Sequence, residues 1–190
     1  MKKIIFFLFF LSLSSCDLLT TRNAEQPNTI GNSNIPAFSK ETLFSNFKSS
    51  MEGKNLENYM QCFVDSSFLK KKFKYFAVPV LVSQYPELNN WSIESERQYF
   101  QNLKTKVKTG QSVFLTLTPR DSTQSADSIF YQVDYSITVL SENQTINGKY
   151  AGSGQFKIFR DSRNQWVIVE WTDLLKDNSK SWSELKGGLY

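Results

Sequence analysis

The chain has 190 residues, 40% of them hydrophobic and 15% aromatic, with 22 Lys and Arg against 18 Asp and Glu. It holds two cysteines and no histidine, which excludes a Cys–His catalytic pair and any zinc site built from His and Cys. The positive balance shrinks further because Lys2 and Lys3 belong to a leader-like segment, so charge gives no ground for a nucleic-acid partner.

In that segment the two lysines precede a ten-residue apolar run at positions 4–13, followed by Leu13-Ser14-Ser15-Cys16. A charged start, a short apolar stretch and small residues before a cut describe a secretory signal peptide over residues 1–15. The run falls well below the roughly 20 apolar residues that a membrane-spanning helix needs. Ordinary signal cleavage prefers a small residue three positions before the cut, where this chain has Leu13. The four residues ending in Cys16 instead resemble the lipobox of bacterial lipoproteins. That resemblance implies that Cys16 is diacylated and opens the mature chain. The expected location is the bacterial cell envelope, with the domain facing the periplasm or the cell surface and held to a membrane by its lipid anchor. Asp17 does not decide between inner and outer membrane. If Cys16 carries lipid, Cys62 has no intramolecular partner and reads as a small buried hydrophobe.

Residues 16–37 are rich in Thr, Asn, Ser and Gln, with Pro27, Gly31 and Pro36, and read as a flexible tether. The folded domain is expected over residues 38–175. Ser39 suits an N-cap, Leu43, Phe44, Phe47 and Met51 recur at helical spacing, and Gly53 suits a helix end. Asn55 caps a second helix whose stripe is Leu56, Tyr59, Met60 and Phe63. A short strand is expected near residues 73–77, then turns up to Tyr85-Pro86. The basic run Lys70-Lys71-Lys72 beside it reads as a solvated loop or strand edge, or as attraction toward anionic head groups or lipopolysaccharide. Ser92 caps the clearest helix, with Glu94 and Glu96 near its positive end and Tyr99, Phe100, Leu103 and Val107 on its stripe.

After Gly110 the period falls to two. Strands are expected at residues 113–117, 129–139, 146–159 and 165–172, with a polar loop at residues 120–127. Short connections make the four an antiparallel meander, and helices followed by such a sheet give an α+β plan. Gly148, Gly152 and Gly154 fall on one face of the third strand, where they let the sheet bend over a helix. No helix follows Gly152-Ser153-Gly154, so a phosphate cradle is not indicated. The tail at residues 176–190 carries Trp182 and Leu185, which suit docking on the domain or, alternatively, a partner.

This order of elements resembles the NTF2-like superfamily, the fold of nuclear transport factor 2, ketosteroid isomerases and SnoaL-like cyclases. Two local patterns carry the resemblance: Leu56-Glu57-Asn58-Tyr59-Met60-Gln61-Cys62-Phe63-Val64-Asp65 and Trp166-Val167-Ile168-Val169-Glu170-Trp171-Thr172-Asp173. It implies a cone in which N-terminal helices pack on a curved antiparallel four-stranded meander around a pocket. Members that are enzymes place a carboxylate or histidine base there, often with a tyrosine or a second acid.

With histidine absent, Glu170 is the candidate base, because alternation sets it with Trp166 and Ile168. The alternatives are a bulge before Trp171 that turns it outward, or pairing with Arg160 or Arg163. Tyr131, Tyr135 and Tyr150 are the candidate hydrogen-bond donors, and each also suits a core aromatic. Asp134 is expected on the outer face, and Asp65 and Asp173 at element ends. No cofactor or metal is indicated. The expected function is a membrane-anchored, non-catalytic binding or assembly module. Its partner would be a small apolar ligand in the cone, an envelope protein on the sheet, or a second copy forming a homodimer through the sheet. The alternative is a cofactor-free isomerase or hydrolase using a pocket carboxylate and a tyrosine.

Overall fold

The structure, a computed structural model, describes residues 34–190; the leader, Cys16 and the tether up to residue 33 lie outside the described residues. Helix α1 spans Lys40–Glu52, with the Ser39 hydroxyl accepting from Thr42 N and Leu43, Phe44, Phe47 and Met51 buried. The left-handed residue at its end is Lys54 (φ 52°), not Gly53, which stays right-handed. The Lys54 ammonium donates to the carbonyls of Val107, Lys108 and Gln111, which ties this turn to the end of a later helix.

Helix α2 is short, Leu56–Met60, and stops before the expected stripe is complete. Phe63 leaves it to form a parallel bridge with Ile168, flanked by Ile168 N to Cys62 O (2.8 Å) and Val64 N to Ile168 O (3.0 Å). Sheet pairing here replaces the last turn of helix. Strand β1 is Lys74–Phe76, helix α3 is Pro79–Val82, and a 3₁₀ turn covers Pro86–Asn90. Helix α4, Ile93–Lys106, is capped by Ser92, with Tyr99, Phe100 and Leu103 buried. Gly110, at φ 85°, turns the chain into the sheet.

The long strands are β2 (Ser112–Gln124), β3 (Ser128–Leu140), β4 (Gly148–Arg160) and β5 (Trp166–Leu175). They form an antiparallel meander, but the sheet has five strands in the order β1-β5-β4-β3-β2. Strand β1 adds to the far edge parallel to β5, pairing Tyr75 with Trp171. Most of the stretch expected as a polar loop belongs to β2, whose hairpin with β3 extends to Gln124 through an irregularity between Pro119 and Asp121. The inner face of β3 buries Ile129, Tyr131, Val133, Tyr135, Ile137 and Val139 in strict alternation.

Residues 182–189 form helix α5, Trp182–Leu189, capped by Ser181. Trp182 is fully buried, and its ring lies 4.5 Å from Trp171, 5.1 Å from Tyr135 and 5.8 Å from Phe47. The C-terminal helix is therefore part of the core. Removing so large a buried ring leaves a cavity that neighbours refill only in part. Trp182→Ala is expected to lower unfolding free energy by about 3–5 kcal/mol, read as a lower urea midpoint with little change in slope.

Candidate functional site

Between the sheet and helices α1 and α4 the interior is occupied by α5. Lys186, fully buried, carries its ammonium inward to the Glu96 carboxylate on α4. Four rings surround that ammonium: Tyr75 at 3.9 Å from the ring centre, Trp171 at 4.0 Å, Trp91 at 5.2 Å and Tyr99 at 5.3 Å. Cation–π attraction to such rings strengthens once water is excluded. Glu96 is fully buried as well, and it also accepts from Tyr59 Oη (2.6 Å) and Trp91 Nε1 (2.7 Å). Burial pushes the Lys186 ammonium down, against the opposing pull of Glu96.

A second carboxylate, Asp173 on β5, anchors the start of α5. Its oxygens accept from Tyr135 Oη (2.6 Å), Ser183 N (2.7 Å) and Ser183 Oγ (2.6 Å). Tyr135 Oη in turn accepts from Trp182 N (2.8 Å), while Ser183 Oγ accepts from Val78 N (3.0 Å). The Trp182 indole N–H reaches Tyr99 Oη at 3.0 Å. Trp171 Nε1 is the single buried side-chain polar atom without a partner among the described residues; its ring face, not its N–H, serves the site.

Glu170 lies elsewhere. A bulge at Val169, between the pairs Lys157–Glu170 and Ile158–Ile168, shifts the alternation of β5 by one residue. Trp171 then points inward and Glu170 outward, into a shallow groove of about 360 Å³ shared with Phe130, Gln155, Lys157 and Thr172. The expectation that Glu170 sits with Trp166 and Ile168 is thereby corrected. The three tyrosines are on the inner face. Tyr131 packs on Phe44 (4.7 Å) beneath Lys40, Tyr150 donates to Ile146 O (3.1 Å), and burial pushes Tyr150 up to about 12. The sheet therefore separates Glu170 from every tyrosine proposed to work with it. Asp134 is on the outer face, held below the usual carboxylate range by hydrogen bonds from Arg120, Lys176 and Ser153. Cys62 is buried, which pushes its thiol up to about 12. Among the described residues no three or more His, Cys, Asp or Glu are grouped so as to hold a metal ion together.

Sequence reasoning missed Glu96 and Lys186, and a signal for both existed. Glu96 sits three, four and seven residues before Tyr99, Phe100 and Leu103, on the apolar stripe of its helix. Lys186 sits four after Trp182 and three before Leu189, on the apolar stripe of α5. Opposite charges on two core-facing stripes predict that those stripes meet.

Known proteins agree with the fold. No family profile matches the sequence, and no curated protein matches it. A conserved protein from Planctomyces limnophilus superposes with a TM-score of 0.54 at 9% identity, over 70% of this chain and 89% of that one. An NTF2-like superfamily protein from Salmonella enterica gives 0.50 at 9% identity, over 72% and 89%. Bd1075 of Bdellovibrio bacteriovorus gives 0.52 at 13% identity over 73% of this chain, which spans only 40% of that protein. The domain has the NTF2-like cone fold. At these identities the likeness extends to the fold alone.

Two predictions follow from the sealed interior. Lys186→Met strands the Glu96 charge in the core and is expected to cost about 3–5 kcal/mol, whereas Lys186→Met with Glu96→Gln recovers most of it. A double-mutant cycle by urea unfolding reads the coupling directly. Burial and nearby carboxylates hold Tyr59, Tyr75, Tyr99 and Tyr135 well above the ordinary tyrosine value. Their contribution to stability is complete below the unfolded value of about 10 and is lost as pH rises beyond it. Alkaline titration should therefore show part of the tyrosinate absorbance appearing only together with loss of near-ultraviolet dichroism. Early ionisation of all tyrosines in the folded protein would contradict this packing.

Proposed function

We propose that this chain is an envelope lipoprotein, anchored to a membrane through lipid on Cys16, whose NTF2-like domain is a non-catalytic binding or assembly module. One observation supports the non-catalytic reading: Lys186 and Trp182 of the chain's own C-terminal helix fill the interior, where the NTF2-like resemblance implies a pocket. The two fully enclosed carboxylates, Glu96 and Asp173, are committed to that helix, and the remaining candidate base, Glu170, is across the sheet from the tyrosines.

With the cone filled, recognition falls to the outside. The outer face of the sheet exposes Phe76 and Phe130 by the shallow groove that holds Glu170 and Lys157, and Phe114 at the other end of β2. Apolar side chains set among charges in this way suit a protein partner, either a second copy or another envelope protein. A photo-crosslinking residue at Phe130 is expected to give one discrete adduct in cells, while the same residue at exposed Val80 gives none. Equal labelling from both positions would remove the sheet as the docking face.

The anchor has its own test. Cys16→Ser should accumulate as an unprocessed precursor that takes up no labelled palmitate, and normal processing of that variant would overturn the lipoprotein reading. Two or more acyl chains would hold the protein firmly without any spanning helix. Among the described residues no helix is long and apolar enough to cross a membrane.

A further inference from the structure

We propose that the end of the domain where the tether joins it is a docking face for an anionic phospholipid bilayer. Two segments distant in sequence build this end. The loop of residues 65–72 and the turn between β4 and β5 are joined by Ser162 N donating to Phe68 O at 3.0 Å, with the Arg163 guanidinium 3.8 Å above the Phe68 ring. Lys71 crosses the same junction, its ammonium 4.4 Å from the centre of the Phe159 ring. Lys70, Lys71 and Lys72 from the loop and Lys157, Arg160 and Arg163 from the hairpin are all exposed.

Against these six cations the loop and the hairpin carry three carboxylates, Asp65, Asp161 and Glu170; Glu170 stands opposite Lys157 in the sheet, and Asp161 is buried and bound by Arg163 at 2.6 Å. Elsewhere the described residues are balanced, with thirteen Lys and Arg against thirteen Asp and Glu. The positive excess of the domain is thus gathered at one end.

That end is also where the chain arrives from the tether. Residues 34–37 line a cleft of about 320 Å³ with Arg163 and Gln165, and Trp166 N donates to Ala37 O at 2.8 Å. Exposed apolar side chains stand in the same region: Ile35 and Phe38 on the arriving chain and Phe68 beneath Arg163. Cations that draw a surface toward anionic head groups, with apolar side chains to enter the interface, are the two ingredients of peripheral membrane binding. A tether joined at this end keeps it within reach of the bilayer. The inference extends the membrane-anchored reading to the domain itself, and either can fail alone.

The test uses the whole mature chain, residues 16–190, made without its leader and so without lipid. It is sedimented with vesicles of phosphatidylcholine alone or mixed with phosphatidylglycerol. Binding is expected to the mixed vesicles only, and to fade with added salt. Each neutralised lysine should lower partitioning about fivefold, so Lys70→Gln with Lys71→Gln and Lys72→Gln together lose about a hundredfold. Lys104→Gln with Lys106→Gln and Lys108→Gln, the same charge change on another part of the domain, should stay within about twofold. In the unmutated chain, anionic vesicles should shield Lys70, Lys71 and Lys72 from amine acylation while leaving Lys104, Lys106 and Lys108 reactive. Indifference to phosphatidylglycerol, or equal losses from both triple variants, would overturn the proposal. Failure of Cys16 to take up palmitate would remove the anchor without touching these results.

Discussion

An ammonium enclosed by four aromatic rings and a carboxylate determines how this domain is put together. Moving two charges out of water costs several kcal/mol each, and their mutual attraction offsets that only with good geometry and further hydrogen bonds. Glu96 has those bonds from Tyr59 and Trp91, and Lys186 has the ring faces of Tyr75, Trp91, Tyr99 and Trp171. The arrangement is directional, unlike apolar packing. Apolar residues at both positions would let α5 turn or slide with modest loss, whereas an ammonium must meet Glu96. The pair therefore sets the rotation and register of the last helix.

The rest of the interior follows from holding that helix inside the cone. Its first turn needs acceptors for free N–H groups, and Asp173 and Tyr135 Oη take those of Ser183 and Trp182. Tyr135 can stand there because Gly152 has no side chain: a Cβ at that position would come within 2.6 Å of Leu174 O and would also strike the Tyr135 hydroxyl. At the other end of α5, Gly187 lies against Tyr85, where a Cβ would strike the ring. Small residues thus appear at the two points of closest approach, and large ones fill the space between.

Much of this was legible in the residue pattern. The α+β plan, the caps at Ser39, Asn55 and Ser92, and the long alternation of β3 are local, and each was readable from its own segment. Features set by distant residues were not. The parallel pairing of β1 with β5 has no local signature, and the bridge from Phe63 to Ile168 ends α2 earlier than its stripe suggests. One bulged residue, Val169, was enough to reverse Glu170, because every side chain beyond a bulge changes face. At the site, Glu96 read as a dipole partner because it lies in the first helical turn. The better guide was its place on an apolar stripe, matched by Lys186 on another.

The same filled interior explains why fold likeness leads so short a way toward function. A cone is useful to an enzyme because it keeps polar groups dry and unpaired until a substrate arrives. In this chain those groups are dry but already paired, with a partner supplied by residues 182–189 of the same chain. A guest would have to displace a tryptophan and a charged lysine together and leave Glu96 without its cation. The polar chemistry of the interior is thus committed to holding the fold together. Exposed apolar and basic side chains lie outside, on the sheet face with Phe76, Phe114 and Phe130, and around Lys70, Lys71, Lys72 and Arg163.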